Sequence, residues 1–218
     1  THDQSSAASD VYKRQTLFDG LALWLDANDT GDVAGEWKDK SGRLRHAVAN
    51  GSPDLISNGF NGLPVMRYSG NNAGTGRDYH DFGKIGKVRT VFWVWKNSGG
   101  WYFMLGDRDN SHFHRQSYMF DSTWASSRVK EGTLRLNGSL VSTTSTPFQN
   151  QMSIIALRTT GDVSATYFSK DRNRNNDRFA NGDLGELVIY DKPLSDSEMS
   201  IVESYLSQKW GIGGAPSS

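Results

Sequence analysis

Apolar and polar positions alternate with a period of two along most of the chain. Leu21, Leu23 and Leu25 alternate with Ala22 and Trp24, and Val88, Thr90, Phe92 and Val94 alternate with Arg89, Val91, Trp93 and Trp95. Successive side chains of a strand point to opposite faces, so the second run is apolar on both and reads as a central strand covered on each side. The same pattern predicts strands over residues 65–68, 101–105, 112–120, 133–137, 152–157, 163–169 and 184–190. Between them Asn97-Ser98-Gly99-Gly100, Asn137-Gly138, Thr160-Gly161-Asp162 and Asn181-Gly182-Asp183 supply residues that accept positive φ, as the turns of a hairpin meander require. About ten short strands predict an all-β fold, an antiparallel β-sandwich of jelly-roll type.

One segment leaves this pattern. After Pro193, Ser195-Asp196-Ser197-Glu198 reads as a capping box, in which the serine hydroxyl and the glutamate carboxylate satisfy the first orphan amides of a helix. Met199, Val202, Tyr205, Leu206 and Trp210 then recur every three or four residues and Gly211 supplies the stop. A single amphipathic C-terminal α-helix of about 15 residues is expected to pack on the sandwich through that stripe.

Length and charge narrow the possibilities. The 218 residues suit one large domain, which the patterning places over residues 17–212, between a disordered or adapter-derived tail at residues 1–16 and a flexible tail at residues 213–218. Lysine plus arginine (24) balance aspartate plus glutamate (24), so no overall field draws the chain to nucleic acid or to a membrane surface. Apolar runs such as residues 91–95 fall far short of the roughly 20 residues that span a bilayer, so no membrane insertion is expected. Without cysteine there is no disulfide framework, no thiolate metal site and no thiol nucleophile.

The stretch from Gly185-Glu186-Leu187-Val188-Ile189-Tyr190-Asp191-Lys192-Pro193-Leu194 through the capping box to Lys209-Trp210-Gly211-Ile212 resembles the closing segment of bacterial concanavalin A-like (laminin-G-like) jelly-roll domains. The opening is similar to the first third of the same superfamily: Gly20-Leu21-Ala22-Leu23-Trp24-Leu25-Asp26-Ala27, Trp37-Lys38-Asp39-Lys40-Ser41-Gly42, and Gly62-Leu63-Pro64-Val65-Met66-Arg67-Tyr68. The resemblance covers roughly residues 17–212 and implies the fold. It also implies a setting among large surface adhesins and secreted proteins, where such domains serve as lectins, glycan-binding modules, peptide-binding adhesin domains, spacers or glycosidases.

Catalysis is not expected. Glycosidases of this superfamily carry their acids in a compact Glu-x-Asp-x-(x)-Glu strand, whereas here Glu186 stands alone before Leu187, Val188, Ile189 and Tyr190 and reads as a buried acceptor bonded to backbone or to an arginine. Five histidines are present, yet no Gly-x-Ser-x-Gly turn accompanies them. Strand alternation would place His112 and His114 on one face and Phe113 and Arg115 on the other; two imidazoles alone make an incomplete metal site.

Oxygen-rich turns raise a calcium hypothesis. Asp171-Arg172-Asn173-Arg174-Asn175 has the Asp-x-Asn-x-Asn spacing of a calcium loop, Asp26-Ala27-Asn28 starts a partial one, and Asp107-Arg108-Asp109-Asn110 forms a third acidic turn. Gly182 and Trp37 at the twelfth positions exclude an EF-hand, and Asp and Asn also serve simply as turn formers. Calcium is assigned to Asp107, Asp109, Asp171 and Asn173. A ligand is assigned to these residues with His112, His114, Arg115 and Arg172, and with Trp101 and Tyr102 as stacking walls; Asp107, His114, Asp171 and Arg172 are expected to face one groove. The expected function is that of an extracellular, monomeric, non-catalytic module, secreted or at the cell surface, that binds a glycan; a calcium-dependent peptide-binding adhesin domain and a spacer without ligand are the alternatives.

Overall fold

The computed structural model describes residues 17–31, 35–70, 77–99, 103–115, 117–172 and 178–213. The strands are β1 (Leu21–Asp26), β2 (Glu36–Trp37), β3 (Ala47–Asn50), β4 (Asp54–Phe60), β5 (Leu63–Ser69), β6 (Tyr79–Gly99), β7 (Thr133–Leu136), β8 (Ser139–Val141), β9 (Ser153–Phe168) and β10 (Asn181–Tyr190). The helices are α1 (Ser127–Lys130) and α2 (Asp196–Trp210). The strands form one continuous antiparallel sheet in the order β4-β5-β10-β6-β9-β7-β8. β10 pairs β5 through residues 181–184 and β1 through residues 186–190, while β3, itself paired with β2, flanks the start of β6.

The sheet doubles into a sandwich because β6 and β9 bend. β6 changes register against β9 between Asp81 and Ile85, between Ile85 and Val88, and between Val88 and Thr90. Its first half lies between β3 and the end of β9, its second half between β10 and the start of β9. Bulges of this kind sharpen twist and turn a strand from one layer to the next. Leu23, Leu25, Trp37, Val91, Trp93, Trp95, Ile155, Leu157, Phe168 and Leu187 fill the interior. On the other face of the β10–β6–β9 layer, Phe92, Val94, Ile154, Ala156 and Val188 meet Met199, Val202, Leu206 and Trp210 of α2. Cover on both sides is why residues 91–95 are apolar throughout, each large side chain contributing about 1.5–3 kcal/mol of burial.

The C-terminal helix forms as its sequence predicts. Ser195 Oγ accepts from Glu198 N, Glu198 Oε2 accepts from Ser195 N, and Gly211 closes the helix at φ +63°. Asn137-Gly138 makes the β7–β8 turn with φ +49° and +82°, as a two-residue hairpin demands.

Other expectations are corrected. Residues 103–105 and the described part of 112–120 are not strands; Asp107 and Asp121 carboxylates accept backbone amides two and three residues on, and these bonds curl the chain. Phe103, Met104, Leu105, Phe113, Met119 and Phe120 are nonetheless buried, so loops packed into the core imitate the strand pattern. Thr160-Gly161-Asp162 is no hairpin turn but part of a bulge in β9: between the pairs Thr90↔Arg158 and Val88↔Val163, Arg89 alone stands across from residues 159–162. Asn181-Gly182-Asp183 lies within β10, where a Cβ on Gly182 would overlap the Lys96 carbonyl oxygen. Among the described residues, no helix is long and apolar enough to cross a membrane.

Candidate functional site

The turn at residues 106–110 and the segment around Asp171 come together. Gly106 exchanges backbone hydrogen bonds with Tyr167, and a Cβ at Gly106 would overlap the Lys170 carbonyl oxygen. Asp107 and Asp171 are each 1% exposed, however; Asp107 Oδ1 and the Asp171 carboxylate face protein donors, whereas Asp107 Oδ2 is buried without a hydrogen-bond partner among the described residues. Asp107 Oδ1 accepts from Asp109 N (2.9 Å), Asn110 N (2.8 Å) and Asn110 Nδ2 (2.9 Å). Burial alone would raise its pKa; these amides and the nearby Ser164 hydroxyl outweigh it and hold the carboxyl below its ordinary value. Asp171 lies 3.5 Å from Arg172 Nε and 3.4 Å from Arg178 Nη1.

The remaining assigned residues disperse. Asp109 is exposed and lies 3.6 Å from Lys84 Nζ. His114 is buried, edge-on to Phe103, with the charges of Asp171 and Asp121 set against those of Arg178 and Arg172; burial dominates and lowers its pKa. His112 is lowered by burial too, but beside Asp107, Arg128 and Lys84, so the two imidazoles do not share a strand face. Arg115 is buried, donates from Nε to Tyr118 O (2.8 Å) and covers the Phe148 ring. Trp101, Tyr102 and Asn173 lie outside the described residues. Among the described residues, no three His, Asp or Glu side chains gather as a metal site.

An open cleft of about 710 Å³ lies on the outer face of β3 and the first half of β6. Its wall is the loop 41–46, which Asp39 organises. Asp39 Oδ1 accepts from Trp24 N and Ser41 N (2.9 Å each), and Oδ2 accepts from Ser41 Oγ (2.7 Å) and Arg45 N (3.0 Å). Asp39 N donates to His46 Nδ1 (3.0 Å), which requires the imidazole proton of the neutral ring to sit on Nε2. At the loop's tip Leu44 is held at φ +56° and is 77% exposed. A leucine in the left-handed region carries about 1–2 kcal/mol of strain, and an exposed one gains nothing from the core in return.

The cleft floor continues into an aromatic, cationic patch. Cross-strand pairs Val48↔Asp81, Asn50↔Tyr79 and Asp81↔Tyr167 put these side chains on one face, opposite the buried His80 and Phe168. Tyr79 and Tyr167 stand edge to face, 5.5 Å apart, and Lys170 Nζ lies 4.4 Å and 4.8 Å from their ring centroids. Burial lowers the Lys170 pKa, Asp81 raises it and Arg108 lowers it. The exposed Arg108 sits beside the Tyr167 hydroxyl. The sequence assignment missed this patch; the alternation of Tyr79 and Asp81 with His80 and Phe82 was the signal that could have located it.

Glu186, expected to be a buried acceptor, accepts from neither arginine nor backbone. It takes Trp24 Nε1 (2.6 Å) and Tyr205 Oη (3.3 Å) on Oε1, and Lys209 Nζ and Trp210 Nε1 (2.8 Å each) on Oε2. A second cavity of about 330 Å³, lined by Trp37, Leu55, Met66 and His80, opens between β2 and β5.

No family model and no curated protein matches the sequence. Among solved structures, the chain is similar to a mutant Trypanosoma rangeli sialidase displaying trans-sialidase activity, at 13% identity and a TM-score of 0.49 over 96% of this chain and 39% of that one. It is similar also to the binding domain of botulinum neurotoxin DC in complex with rat synaptotagmin II, at 11% identity and a TM-score of 0.42 over 87% and 52% of the respective chains. The chain thus spans between two fifths and about half of the length of these two structures.

Proposed function

We propose that the chain is a non-catalytic carbohydrate-binding module, jelly-roll in type and secreted or displayed at a cell surface, that holds a saccharide in the cleft beside loop 41–46. The observation that carries this reading is the loop itself. Asp39 fixes an exposed, strained Leu44 between Arg43 and Arg45, above Asn50 and Asp81. A sugar presents an apolar C–H face and a rim of hydroxyls, and such a site offers an apolar contact ringed by guanidinium donors, an amide and a carboxylate. Fixing the loop before the ligand arrives reduces the ordering cost of binding.

The non-catalytic part of the reading is supported by Glu186. Its two oxygens accept four donors and it is fully buried, which leaves it no access to a glycosidic bond. A glycan array probed with the wild-type chain and with Arg45→Ala and Asn50→Ala tests the proposal. Retention of a saccharide that both variants lose, with no hydrolysis product, is expected; no retention of any glycan, or retention indifferent to both substitutions, would overturn it.

A further inference from the structure

We infer that the saccharide is acidic, and that the cleft receives its negative group between the Arg43/Arg45 loop and the Lys170 patch. This rests on the carbohydrate reading above and adds the charge of the ligand. Over the whole chain positive and negative side chains cancel, 24 against 24, so a local excess is a property of the place. Among the described residues Arg43, Arg45, Arg108 and Lys170 form no salt bridge; Lys87, Lys96, Arg128 and Lys130 form none either, but the first four gather at the cleft and the patch adjoining it, whereas Arg67, Arg89, Arg135, Arg158 and Arg178 each meet a carboxylate. Arg43 Nε donates to Leu21 O (3.2 Å) and Arg45 Nη1 to Lys84 O (3.3 Å). Each bond anchors a guanidinium and leaves most of its five N–H donors unspent.

Lys170 supplies the second, independent observation. It is only 8% exposed, yet its ammonium rests on two tyrosine faces rather than on a carboxylate. Ring quadrupoles offset part of the desolvation of a cation, but a largely buried charge without a counter-ion remains costly. Asp81 acts on it through space and is the one acid among the residues lining the cleft. A carboxylate or sulfate on a bound sugar would complete the charge balance, with the unspent guanidinium donors of Arg45 on the cleft wall and Lys170 on the adjoining tyrosine patch.

An array carrying neutral, carboxylated (uronate) and sulfated saccharides, read at low and at high salt, tests this. Retention of acidic saccharides, weakened severalfold at high salt, is expected. The retained saccharide is then titrated against its methyl ester or desulfated form. We expect the charged form to bind about tenfold tighter, Lys170→Met to remove most of that preference while leaving the neutral form's affinity unchanged, and Arg45→Gln to weaken both forms, the charged one more. A response to the carboxylated or to the sulfated series alone supports the inference and identifies the group. Retention of neutral saccharides only, or equal affinity for charged and neutralised forms, overturns the inference and leaves the carbohydrate reading standing. Retention of nothing overturns both. Should Lys170→Met fail to fold, the half-buried Arg45→Gln decides by itself: a larger loss for the charged than for the neutralised form supports the inference, and equal losses overturn it.

Discussion

Asp26 and Glu186 are direct cross-strand partners on β1 and β10, both buried, and the Lys209 ammonium from α2 lies 2.7 Å from the one and 2.8 Å from the other. Two adjacent carboxylates in the interior repel one another; burial and Asp26 push Glu186 up, against Lys209. For Asp26, burial also pushes upward, but Lys209 and Lys40 outweigh it and keep the group low. A strand pair that would otherwise be unfavourable thus becomes the point where the last turn of the helix is fastened to the sheet. Lys209→Met leaves Glu186 without a cation and Asp26 with Lys40 alone, and is expected to cost about 3–5 kcal/mol in urea unfolding. The double variant with Glu186→Gln should recover part of that loss; no recovery would show that the ammonium does not act through the acid pair.

A rim glycine gives a sharper contrast. A Cβ on Gly106 would overlap the Lys170 carbonyl oxygen, whereas one on Gly86 meets nothing within 4 Å. Gly106→Ala must push the 106–110 turn away from the segment carrying Lys170 and Asp171, at a cost of about 1–3 kcal/mol. Gly86→Ala should change stability by less than about 0.5 kcal/mol. Equal melting temperatures for the two variants would contradict the close approach of these segments.

Much of the fold was legible because its main strands have at least one face in the core. β1, the second half of β6, the first half of β9 and the end of β10 each show Leu, Val, Ile or Trp at alternate positions. The pattern failed at residues 103–105 and 112–120 for a physical reason: Phe103 and Phe113 enter the core from turns, and burial marks a sequence whatever backbone delivers it. Polar density singled out segments 106–110, 112–118 and 171–178, of which the structure sets the described parts of the first and last side by side. It could not show that Asp107 Oδ1 and the Asp171 carboxylate meet local donors. The alternation at Tyr79 and Asp81 marked an outward face of that strand, but only the β6–β9 register, which sets Asp81 opposite Tyr167, brings the distant Tyr167 and Lys170 to it.

Buried histidine makes stability fall with acid from above the ordinary carboxylate range downward. Burial drives His80 down from 6.5 to about 4, against the pull of Asp78, and its Nδ1 lies 2.6 Å from the Tyr68 hydroxyl. Above pH 6.5 both folded and unfolded chains hold this ring neutral, so it contributes no slope. Between about 6.5 and 4 the unfolded chain binds a proton that the folded one refuses, and stability drops as pH falls, by about 3 kcal/mol in all. His112 and His114 are displaced in the same direction. Urea unfolding from pH 7.5 to 4.5 should show this decline, and His80→Asn should flatten it; a slope unchanged in the variant would assign it elsewhere.

Leu44 links stability to binding. Held at φ +56° and 77% exposed, it bears the cost of the left-handed region without the compensation of burial. Asparagine accepts this conformation more readily than leucine. Leu44→Asn is therefore expected to stabilise the chain by about 1 kcal/mol, which for a domain of this size raises the melting temperature by about 2–4 °C. The same substitution removes the apolar contact at the cleft's rim and should weaken saccharide binding about tenfold, or about 1.4 kcal/mol. Opposed signs are the expectation: a chain that is harder to unfold and a poorer binder. A variant that gains stability and keeps full affinity would place the saccharide away from loop 41–46, while one that loses both would mean that Leu44 supports the fold through contacts its exposure does not suggest.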